Sequence, residues 1–379
     1  MALSVRVFFP IPINKGLTNC GYTCSTVARV IQGDSLKATL VVPRADSSVK
    51  QPFFDVALPW PVRRFPFRYM SSWAIDRVEK HFLNTLGQSE VAYLWSDFSA
   101  RLGQEIRNRD VPVVIEKYNC QMEFIKRTLD AEYASLGLDP VHDITDERIQ
   151  EERSQLSYAD YIFCANPFAA QTYKEFFGDE SKIFEFTYGW DYERFANAER
   201  QKEPDSPFTL LFVGSVCVRK GAHLILRAWE KAGVEGQLLL AGGIEPAIKQ
   251  VCSESLARDD VKELGYVSDI GALYRSAHAF AFPTLEEGGP LVTYEAAGHC
   301  LPSLLSPMAA GTILRDDQEA IVLDPHDVDS WADAIRKLAS SSELRQRLGQ
   351  AARRRVNGIT WPVAGENRRK VFNQLFPGR

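Results

Sequence analysis

Two glutamates in the second half of the chain have the side-chain type and spacing of a ligand-binding pair. Glu287 and Glu295 lie in the stretch PTLEEGGPLVTYEAAGHCLPSLLS (283–306), with seven residues between them. Gly288 and Gly289 permit a sharp turn after the first glutamate, and the apolar spacing that follows predicts a short helix. Glu295 would lie about five residues inside that helix. The two carboxylates would therefore flank a helix N-terminus.

The surroundings of this pair indicate the chemistry that it could serve. Free N–H groups and the helix dipole make a helix N-terminus a favourable place for phosphate, and carboxylates accept hydrogen bonds from hydroxyl groups. Pro290 suits the first helical position, which needs no N–H donor. A ligand with a diphosphate centre and a polyol at each end would fit, and nucleotide-sugars have this layout. The alternative is a solvated loop acid and a helix-surface glutamate.

The segment GSVCVRKG (214–221) is a second candidate for anion binding. It combines a glycine turn at Gly214, the cations Arg219 and Lys220, and the start of a helix predicted over 222–231. Backbone N–H groups of such a turn, with a nearby lysine, can hold a phosphate. Taken alone, Lys220 is also typical of a solvated lysine at a helix start.

Both motifs resemble those of the retaining glycosyltransferases of family 4. The second domain of that family carries a Glu-x7-Glu pair in a Pro-Ser/Thr-x-x-Glu-Gly setting and a Gly-Arg-x-x-x-x-Lys-Gly segment. The resemblance implies that Glu287 contacts the donor sugar, Glu295 contacts the ribose and Lys220 holds the donor diphosphate. Backbone amides around Gly288 and Gly289 would stabilise the same diphosphate.

The chain departs from these family motifs at several positions. Ser215 replaces the family arginine, so one cationic contact is missing or is supplied by Arg219. Pro290 stands where many members have glycine, and its nitrogen cannot donate a hydrogen bond. The adjacent Glu286 could take the role of Glu287 if the register shifts by one residue. Many members also have a histidine after the strand expected at 111–115, and this chain has none there.

Apolar runs and turn residues predict alternating strands and helices in both halves of the chain. The chain opens with a strand (4–9), a loop, a helix (21–31) and a second strand (38–42), which is the order of a parallel sheet with helices on its faces. Ligands of such sheets bind at the carboxyl ends of the strands. Further strands are expected at 91–95, 111–115, 160–164 and 183–187, and then at 208–213, 237–241, 264–269, 277–282 and 302–306.

The resemblance implies the GT-B fold, in which two doubly wound, Rossmann-like α/β domains face a cleft. Residues 1–195 would form the N-terminal, acceptor-side domain, and a C-terminal helix within 361–379 would return to it. The polar stretch 196–207 is the expected linker. Residues 208–360 would form the C-terminal domain that binds the nucleotide-sugar.

Four further residues are candidates for ligand contacts. Gly21 lies near the first loop-to-helix junction, where family members often have glycines close to the donor phosphates, and simple turn chemistry would also explain it. Val267 lies in the turn that the family places against the nucleobase. Glu116 and Asn119 follow the strand expected at 111–115 on the ligand side, and they would either contact the acceptor or cap the next helix.

The composition limits the classes of partner and compartment. A chain of 379 residues can form two domains, and its 44 basic and 49 acidic residues make no overall case for nucleic acid. Seven cysteines without a CxxC pair indicate reduced, mostly buried thiols rather than disulfides or zinc. We find neither a signal peptide nor an apolar run long enough to span a membrane. We therefore expect a cytoplasmic protein.

The segment WPVRRFPFRY (60–69) leaves peripheral contact with the inner membrane surface open. Its three arginines and four aromatic residues could bind an acceptor glycan or anionic lipid headgroups. The alternative is an ordinary loop packed on the first domain, since prolines prevent a regular amphipathic helix.

These patterns predict an enzyme that moves a sugar from a nucleoside-diphosphate sugar to a hydroxyl of a glycan, a lipid-linked sugar or a small molecule. The resemblance implies retention at the anomeric carbon, and the chemistry needs no metal or further cofactor. Two other classes stay open, namely an epimerase or hydrolase of nucleotide-sugars with the same fold, and a non-catalytic subunit that binds a nucleotide-sugar. A membrane-surface scaffold built on 63–68 is a more distant alternative.

Overall fold

A computed structural model of the chain describes residues 2–14, 20–59, 71–95, 98–191 and 207–379. The basic and aromatic segment at 60–69 and nearly all of the expected linker at 196–207 lie outside the described residues.

The first domain is built on a sheet of seven described strands. These are β1 (Leu3–Phe8), β2 (Leu36–Val42), β3 (Phe54–Val56), β4 (Glu90–Trp95), β5 (Val113–Lys117), β6 (Tyr161–Cys164) and β7 (Ile183–Glu185). All neighbouring pairs are parallel, and the order across the sheet is β3-β2-β1-β4-β5-β6-β7. From the β1–β4 pair, the chain adds strands outward in opposite directions, β2 and β3 on one side and β5 to β7 on the other. A crevice is therefore expected at the carboxyl ends of β1 and β4.

Six described helices connect these strands. They are α1 (Cys20–Val30), α2 (Ser71–Thr85), α3 (Ala100–Arg107), α4 (Met122–Ser135), α5 (Asp146–Ser157) and α6 (Pro167–Phe177). Polar side chains define several helix starts, since Ser99, Thr145 and Asn166 each accept a backbone N–H from the first turn. Gly178 ends α6 in the left-handed conformation that glycine adopts without strain.

The second domain repeats this architecture with six described strands. They are β8 (Phe208–Val213), β9 (Gly236–Ala241), β10 (Val261–Glu263), β11 (Ala279–Phe282), β12 (Ser303–Leu305) and β13 (Ile321–Val322). The pairs are parallel, in the order β10-β9-β8-β11-β12-β13. The central strand β8 is buried at every position, as a strand covered by helices on both faces must be.

Eight described helices belong to this second sheet. They are α7 (Ala222–Ala232), α8 (Pro246–Val251), α9 (Ser253–Leu256), α10 (Ile270–Ser276), α11 (Leu291–Gly298), α12 (Pro307–Ala310), α13 (Val328–Ser340) and α14 (Ser342–Val356). Together the two sheets and their helices give two doubly wound α/β domains, as the sequence predicts.

Several predicted boundaries differ from the structure. The strand expected at 264–269 is the turn that follows β10, and the strand expected at 111–115 begins and ends two residues later as β5. Helix α11 begins at Leu291, so Pro290 is the residue before the helix rather than its first residue. Proline can occupy either position, because neither requires its N–H.

The last helix, α15 (Trp361–Leu375), packs on the first domain. Its Phe372 ring makes edge contacts with Tyr93 and Phe163, at centroid distances of 5.2 and 5.1 Å. A side chain at Gly365 would overlap the carbonyl of Val30, so glycine allows α15 to approach the end of α1 closely.

No disulfide joins any of the seven cysteines, all of which lie in the described ranges. Cys24, Cys120, Cys164 and Cys252 are buried. Within the described ranges, no helix has both the length and the apolar character that crossing a bilayer requires.

Candidate functional site

A cleft of about 600 Å³ lies between the two domains, at the carboxyl ends of both sheets. The second domain lines it with the loops after β8, β9, β10 and β11 and with the first turns of α11. The first domain contributes Cys20, Thr23, Tyr118, Asn119 and Tyr188. A ligand in this cleft would contact both domains, which is the position that doubly wound folds favour for ligand binding.

Lys220 lies in the wall of this cleft, in the short 3-10 turn Val218–Lys220 between β8 and α7. Its ammonium group pairs with the carboxylate of Glu287 and lies 5.4 Å from the centre of the Phe282 ring. Burial, and then the positive charge of Arg219, lower the pKa of Lys220 to about 7, while the negative charge of Glu286 acts to raise it. The lysine is therefore held at the cleft wall with a proton that it can lose near neutral pH.

Arg219 also lines the cleft, and it is fixed by Glu286. Its guanidinium donates to the Glu286 carboxylate at 2.9 Å, and the other oxygen of Glu286 accepts the backbone N–H of Cys120 at 2.9 Å. Glu286 is fully buried, so it binds Arg219 and the first domain at the same time. Glu287, and not Glu286, is the acid that lines the cleft.

Glu295 lies on α11 and lines the same cleft. The buried Tyr274 donates a hydrogen bond of 3.0 Å to its carboxylate. Pro290, Leu291 and Val292 also line the cleft, which places the first turn of α11 beside it. N–H groups of a first helical turn have no partner within their own helix.

The glycines of the two motifs have different positions. Gly289 lines the cleft, whereas Gly288 is buried against the first domain, where a side chain would overlap the carbonyl group of Tyr118. Gly214, with a positive φ of 125°, lines the cleft beside the exposed Ser215. Gly288 thus allows close approach of the domains, whereas Gly289, Gly214 and Ser215 lie where a ligand could reach them.

Two weaker candidates also lie in or beside the cleft. Val267 lines it together with Gly265, Tyr266 and Ser268, in the turn after β10. Tyr266 is 78% exposed, and its aromatic ring was not singled out from the sequence. Gly21 is buried in the first turn of α1, next to the cleft-lining Cys20.

Of the two acceptor candidates, only Asn119 belongs to the described lining of the cleft. Asn119 lines the cleft, as expected of a residue that follows a strand. Glu116 does not, because β5 continues through Lys117 and the Glu116 side chain is fully buried. It accepts from Arg368 of α15 at 3.0 Å and from the Tyr93 hydroxyl. Glu116 therefore anchors the last helix, and the expected acceptor contact does not fit its position.

A second set of contacts between the domains was not foreseen from the sequence. Glu132 of α4 binds two histidines of the second domain, with its oxygens 2.6 Å from Nε2 of His223 and 2.7 Å from Nε2 of His326. Burial alone would raise the pKa of this carboxyl, and the hydrogen bonds from the two histidines lower it to about 2. The Tyr133 hydroxyl donates to Glu245 at 2.7 Å beside them.

The described residues place cations in the cleft but no cluster of metal ligands. Across the ranges that the structure describes, no cluster of three or more His, Cys, Asp or Glu side chains is arranged to hold a metal ion. The cationic groups described in the cleft are the side chains of Lys220 and Arg219.

Comparison with known sequences gives matches over part of the chain. Residues 193–355 match the family described as "Glycosyl transferases group 1". A D-inositol 3-phosphate glycosyltransferase from Xylanimonas cellulosilytica is 30% identical over 187 residues, which cover 46% of this chain and 44% of that protein. The capsular polysaccharide biosynthesis glycosyltransferase CapM from Staphylococcus aureus is 26% identical over 45% of this chain and 47% of its own length. The matches thus span about half the length of these curated relatives.

Solved structures match over nearly the whole chain. Sucrose-phosphate synthase from Thermosynechococcus elongatus gives a TM-score of 0.75 at 17% identity, covering 99% of this chain and 100% of that chain. HepE from Anabaena, solved in complex with UDP-glucose, gives 0.68 at 11% identity, covering 98% and 99%. These likenesses show the fold, which is GT-B. The family match is confined to residues 193–355, and the likeness of the whole chain to these structures shows its architecture alone.

Proposed function

We propose that this protein transfers a sugar from a nucleoside-diphosphate sugar to a hydroxyl of a glycan, a lipid-linked sugar or a small molecule. The anomeric configuration is retained, and neither a metal ion nor a further cofactor takes part. The observation that carries this proposal is the meeting of two cations, two carboxylates and a helix N-terminus in one cleft between the domains. HepE was solved in complex with UDP-glucose, and the curated relatives are named as glycosyltransferases. Both facts agree with the proposal.

The donor lies along the second domain in this proposal. Lys220, Arg219 and the N–H groups at the start of α11 bind the diphosphate. Glu287 accepts hydrogen bonds from the donor sugar and Glu295 from the ribose hydroxyls. The turn that holds Val267 contacts the nucleobase through its backbone.

The reaction exchanges one bond at the anomeric carbon for another. The acceptor oxygen forms a bond to that carbon, while the bond to the diphosphate oxygen breaks and its electron pair leaves with the diphosphate. The proton of the acceptor hydroxyl passes to the departing diphosphate oxygen, so no side-chain base is required. Lys220 and Arg219 lower the barrier by stabilising the charge that develops on the diphosphate.

Domain contacts support a closed arrangement for this chemistry. Glu286 joins Arg219 to the backbone of Cys120, and Glu132 joins α4 to two histidines of the second domain. A cleft closed by such contacts excludes water, which protects an activated donor from hydrolysis.

An epimerase or hydrolase of nucleotide-sugars would need an acid and a base at the reacting sugar. Among the described residues of the cleft, the carboxylates are Glu287 and Glu295, both from the second domain. The first domain offers no carboxylate or histidine to that described lining. This distribution favours transfer over epimerisation or hydrolysis.

Donor binding is tested first by calorimetry and thermal unfolding with UDP-, GDP- and ADP-sugars in EDTA. A ligand that binds the folded state raises the unfolding midpoint. We expect one nucleotide class to bind the wild type without metal and to lose its effect in Glu295→Ala. Glu343→Ala is the matched control, because Glu343 is an exposed carboxylate on α14, outside the cleft lining, and its removal should leave binding unchanged.

Turnover separates an enzyme from a non-catalytic binding subunit. Release of nucleoside diphosphate in the presence of acceptor, with the anomeric configuration of the product read by NMR, should show a retained linkage. A protein that binds none of the three donor classes would overturn the proposed function. Binding without acceptor-dependent turnover would indicate a non-catalytic subunit.

A further inference from the structure

A second cavity, of about 390 Å³, opens beside the donor cleft. Helices α4 and α5 and the segment after β5 form most of its wall, and the second domain closes it with Cys217, Arg219, Glu245 and Glu286. Tyr118, Asn119 and Arg219 line both this cavity and the donor cleft. A ligand in the cavity would therefore reach the place where the donor sugar is expected. Its volume lies within the usual range for small-molecule sites.

The floor of the cavity is apolar. Met122, Ile125 and Leu129 line it at the spacing of one helical face of α4, and Ile144 adds to them from the loop before α5. Tyr133 and Tyr173 contribute aromatic rings. Such a surface suits the C–H face of a sugar ring, which packs on apolar and aromatic side chains.

The charged groups around the cavity neutralise one another. Lys117 pairs with Glu152 at 2.6 Å, and both are buried. Arg219 pairs with the buried Glu286 at 2.9 Å, and Arg148 at the rim pairs with Asp143.

One further carboxylate has no cationic partner in this lining. The oxygens of Glu245 accept the Tyr133 hydroxyl at 2.7 Å and the Val218 N–H at 2.8 Å. His142, also in the wall, lies 2.7 Å from Asp130. Carboxylates thus outnumber lysine and arginine side chains in the lining, which disfavours a ligand with a phosphate or carboxylate group.

We propose that this cavity is the acceptor pocket and that it takes an uncharged, hydroxyl-rich sugar rather than a phosphorylated one. The inference rests on the proposed function, because it assigns the acceptor of that reaction. The acceptor hydroxyl approaches the donor past Asn119, where the cavity joins the cleft. One of the curated relatives is named for an inositol phosphate, so a phosphorylated acceptor is the alternative that the test must exclude.

The test uses pairs of probes that differ only in a phosphate: myo-inositol against inositol 3-phosphate, glucose against glucose 6-phosphate, and N-acetylglucosamine against its 6-phosphate. Binding of each probe at millimolar concentration to the full chain, saturated with the nucleotide that it binds, is measured by saturation-transfer NMR and titration. We expect at least one neutral sugar to bind, and its phosphorylated partner to bind at least about tenfold more weakly.

Substitutions locate the site. Ile144→Trp fills the cavity from a loop and should weaken binding of the neutral sugar at least about tenfold, with the affinity for nucleotide unchanged. Val141→Trp is the matched control, because Val141 lies in the same loop and is 63% exposed. If Ile144→Trp fails to fold, Met122→Trp fills the same space from α4.

Failure of this inference is distinct from failure of the proposed function. If the wild type binds a nucleotide-sugar and no neutral probe binds, or the phosphorylated partner binds better, the acceptor assignment is wrong and the donor site stands. The same holds if filling the cavity leaves sugar binding unchanged. If the wild type binds no nucleotide-sugar, the proposed function itself fails and this assignment fails with it.

Discussion

The guanidinium of Arg219 donates a hydrogen bond of 2.9 Å to the carboxylate of Glu286, whose other oxygen accepts the backbone N–H of Cys120 from the first domain. Arg219 thus takes its position from a buried acid that is itself fixed across the domain boundary. Ser215 cannot supply a cation from the family's arginine position. The pair therefore gives Arg219 a defined orientation toward the cleft.

We expect removal of the Arg219 side chain to weaken donor binding by about ten- to a hundredfold, since a hydrogen bond to a charged group contributes roughly 1.5–3 kcal/mol. The change is made as Arg219→Ala/Glu286→Gln, because Arg219→Ala alone would leave a buried carboxylate without its cation. Adding Ser215→Arg to this double variant should restore part of the affinity. Dissociation constants for the nucleotide-sugar measure both effects.

The exposed Arg354→Ala serves as the control for loss of a positive charge outside the cleft. An unchanged dissociation constant in the double variant, with its fold intact, would show that Arg219 does not touch the diphosphate.

We predict that Lys220 takes up a proton when the donor binds. Its pKa is lowered from 10.5 to about 7 by burial and by Arg219, so the free protein holds it largely neutral at about pH 8. A diphosphate favours the charged form and raises that pKa again. Titration calorimetry in buffers of different ionisation enthalpy should show uptake approaching one proton at about pH 8, and little at about pH 6.

The lowered pKa of Lys220 also makes the stability of the unliganded protein depend on pH. Between about pH 7 and 10.5 the unfolded chain binds more protons than the folded chain at Lys220, so this residue makes stability rise with pH across that window. Lys220→Met should remove both the proton uptake and this part of the pH dependence. Equal uptake in Lys220→Met and wild type would assign the proton to another group.

Local patterns explain how much of the fold and site could be predicted. Strand β8 lies at its predicted residues, because a continuous apolar run between turns has few other interpretations. Helix α5 was not predicted, since its sequence DERIQEERSQLS buries only Ile149, Glu152 and Leu156. Glu287 and Glu295 could be identified because their motif is contiguous in the sequence.

Contacts between residues far apart in the chain could not be predicted, because no local sequence pattern marks them. Arg219 and Glu286 are 67 positions apart, His223 and Glu132 are 91 apart, and Arg368 and Glu116 are 252 apart. The position of Glu116 has a related cause. Because β5 extends two residues further than predicted and is buried at every position, an expected loop acid becomes a buried strand residue.

The buried pair of Arg368 and Glu116 predicts a large loss of stability when one partner is removed. Both side chains have no solvent exposure, so Arg368→Ala leaves the buried carboxyl group of Glu116 without its cationic partner, at a cost of about 3–5 kcal/mol. We expect the midpoint of thermal unfolding to fall by roughly 6–20 °C. Lys370→Ala on the same helix removes only an exposed pair with Glu366 and should change stability by about 0.5 kcal/mol or less.

Replacing both partners distinguishes a paired charge from simple packing. In Arg368→Met/Glu116→Gln the buried charges are absent, so the double variant should be more stable than Arg368→Ala. A double variant as unstable as the single one would assign the loss to packing of α15.

Gly288 predicts a variant that impairs closure without unfolding either domain. An added Cβ would overlap the backbone carbonyl of Tyr118, a group fixed at the end of β5 that cannot move aside as a flexible side chain could. We therefore expect Gly288→Ala to separate the domains, which would raise the radius of gyration in X-ray scattering and lower donor-dependent turnover by at least about tenfold. Gly358→Ala is the control, because the nearest atom to its Cβ would be the Arg355 carbonyl oxygen at 3.6 Å. Normal scattering and turnover in Gly288→Ala would mean that catalysis does not depend on this close approach of the two domains.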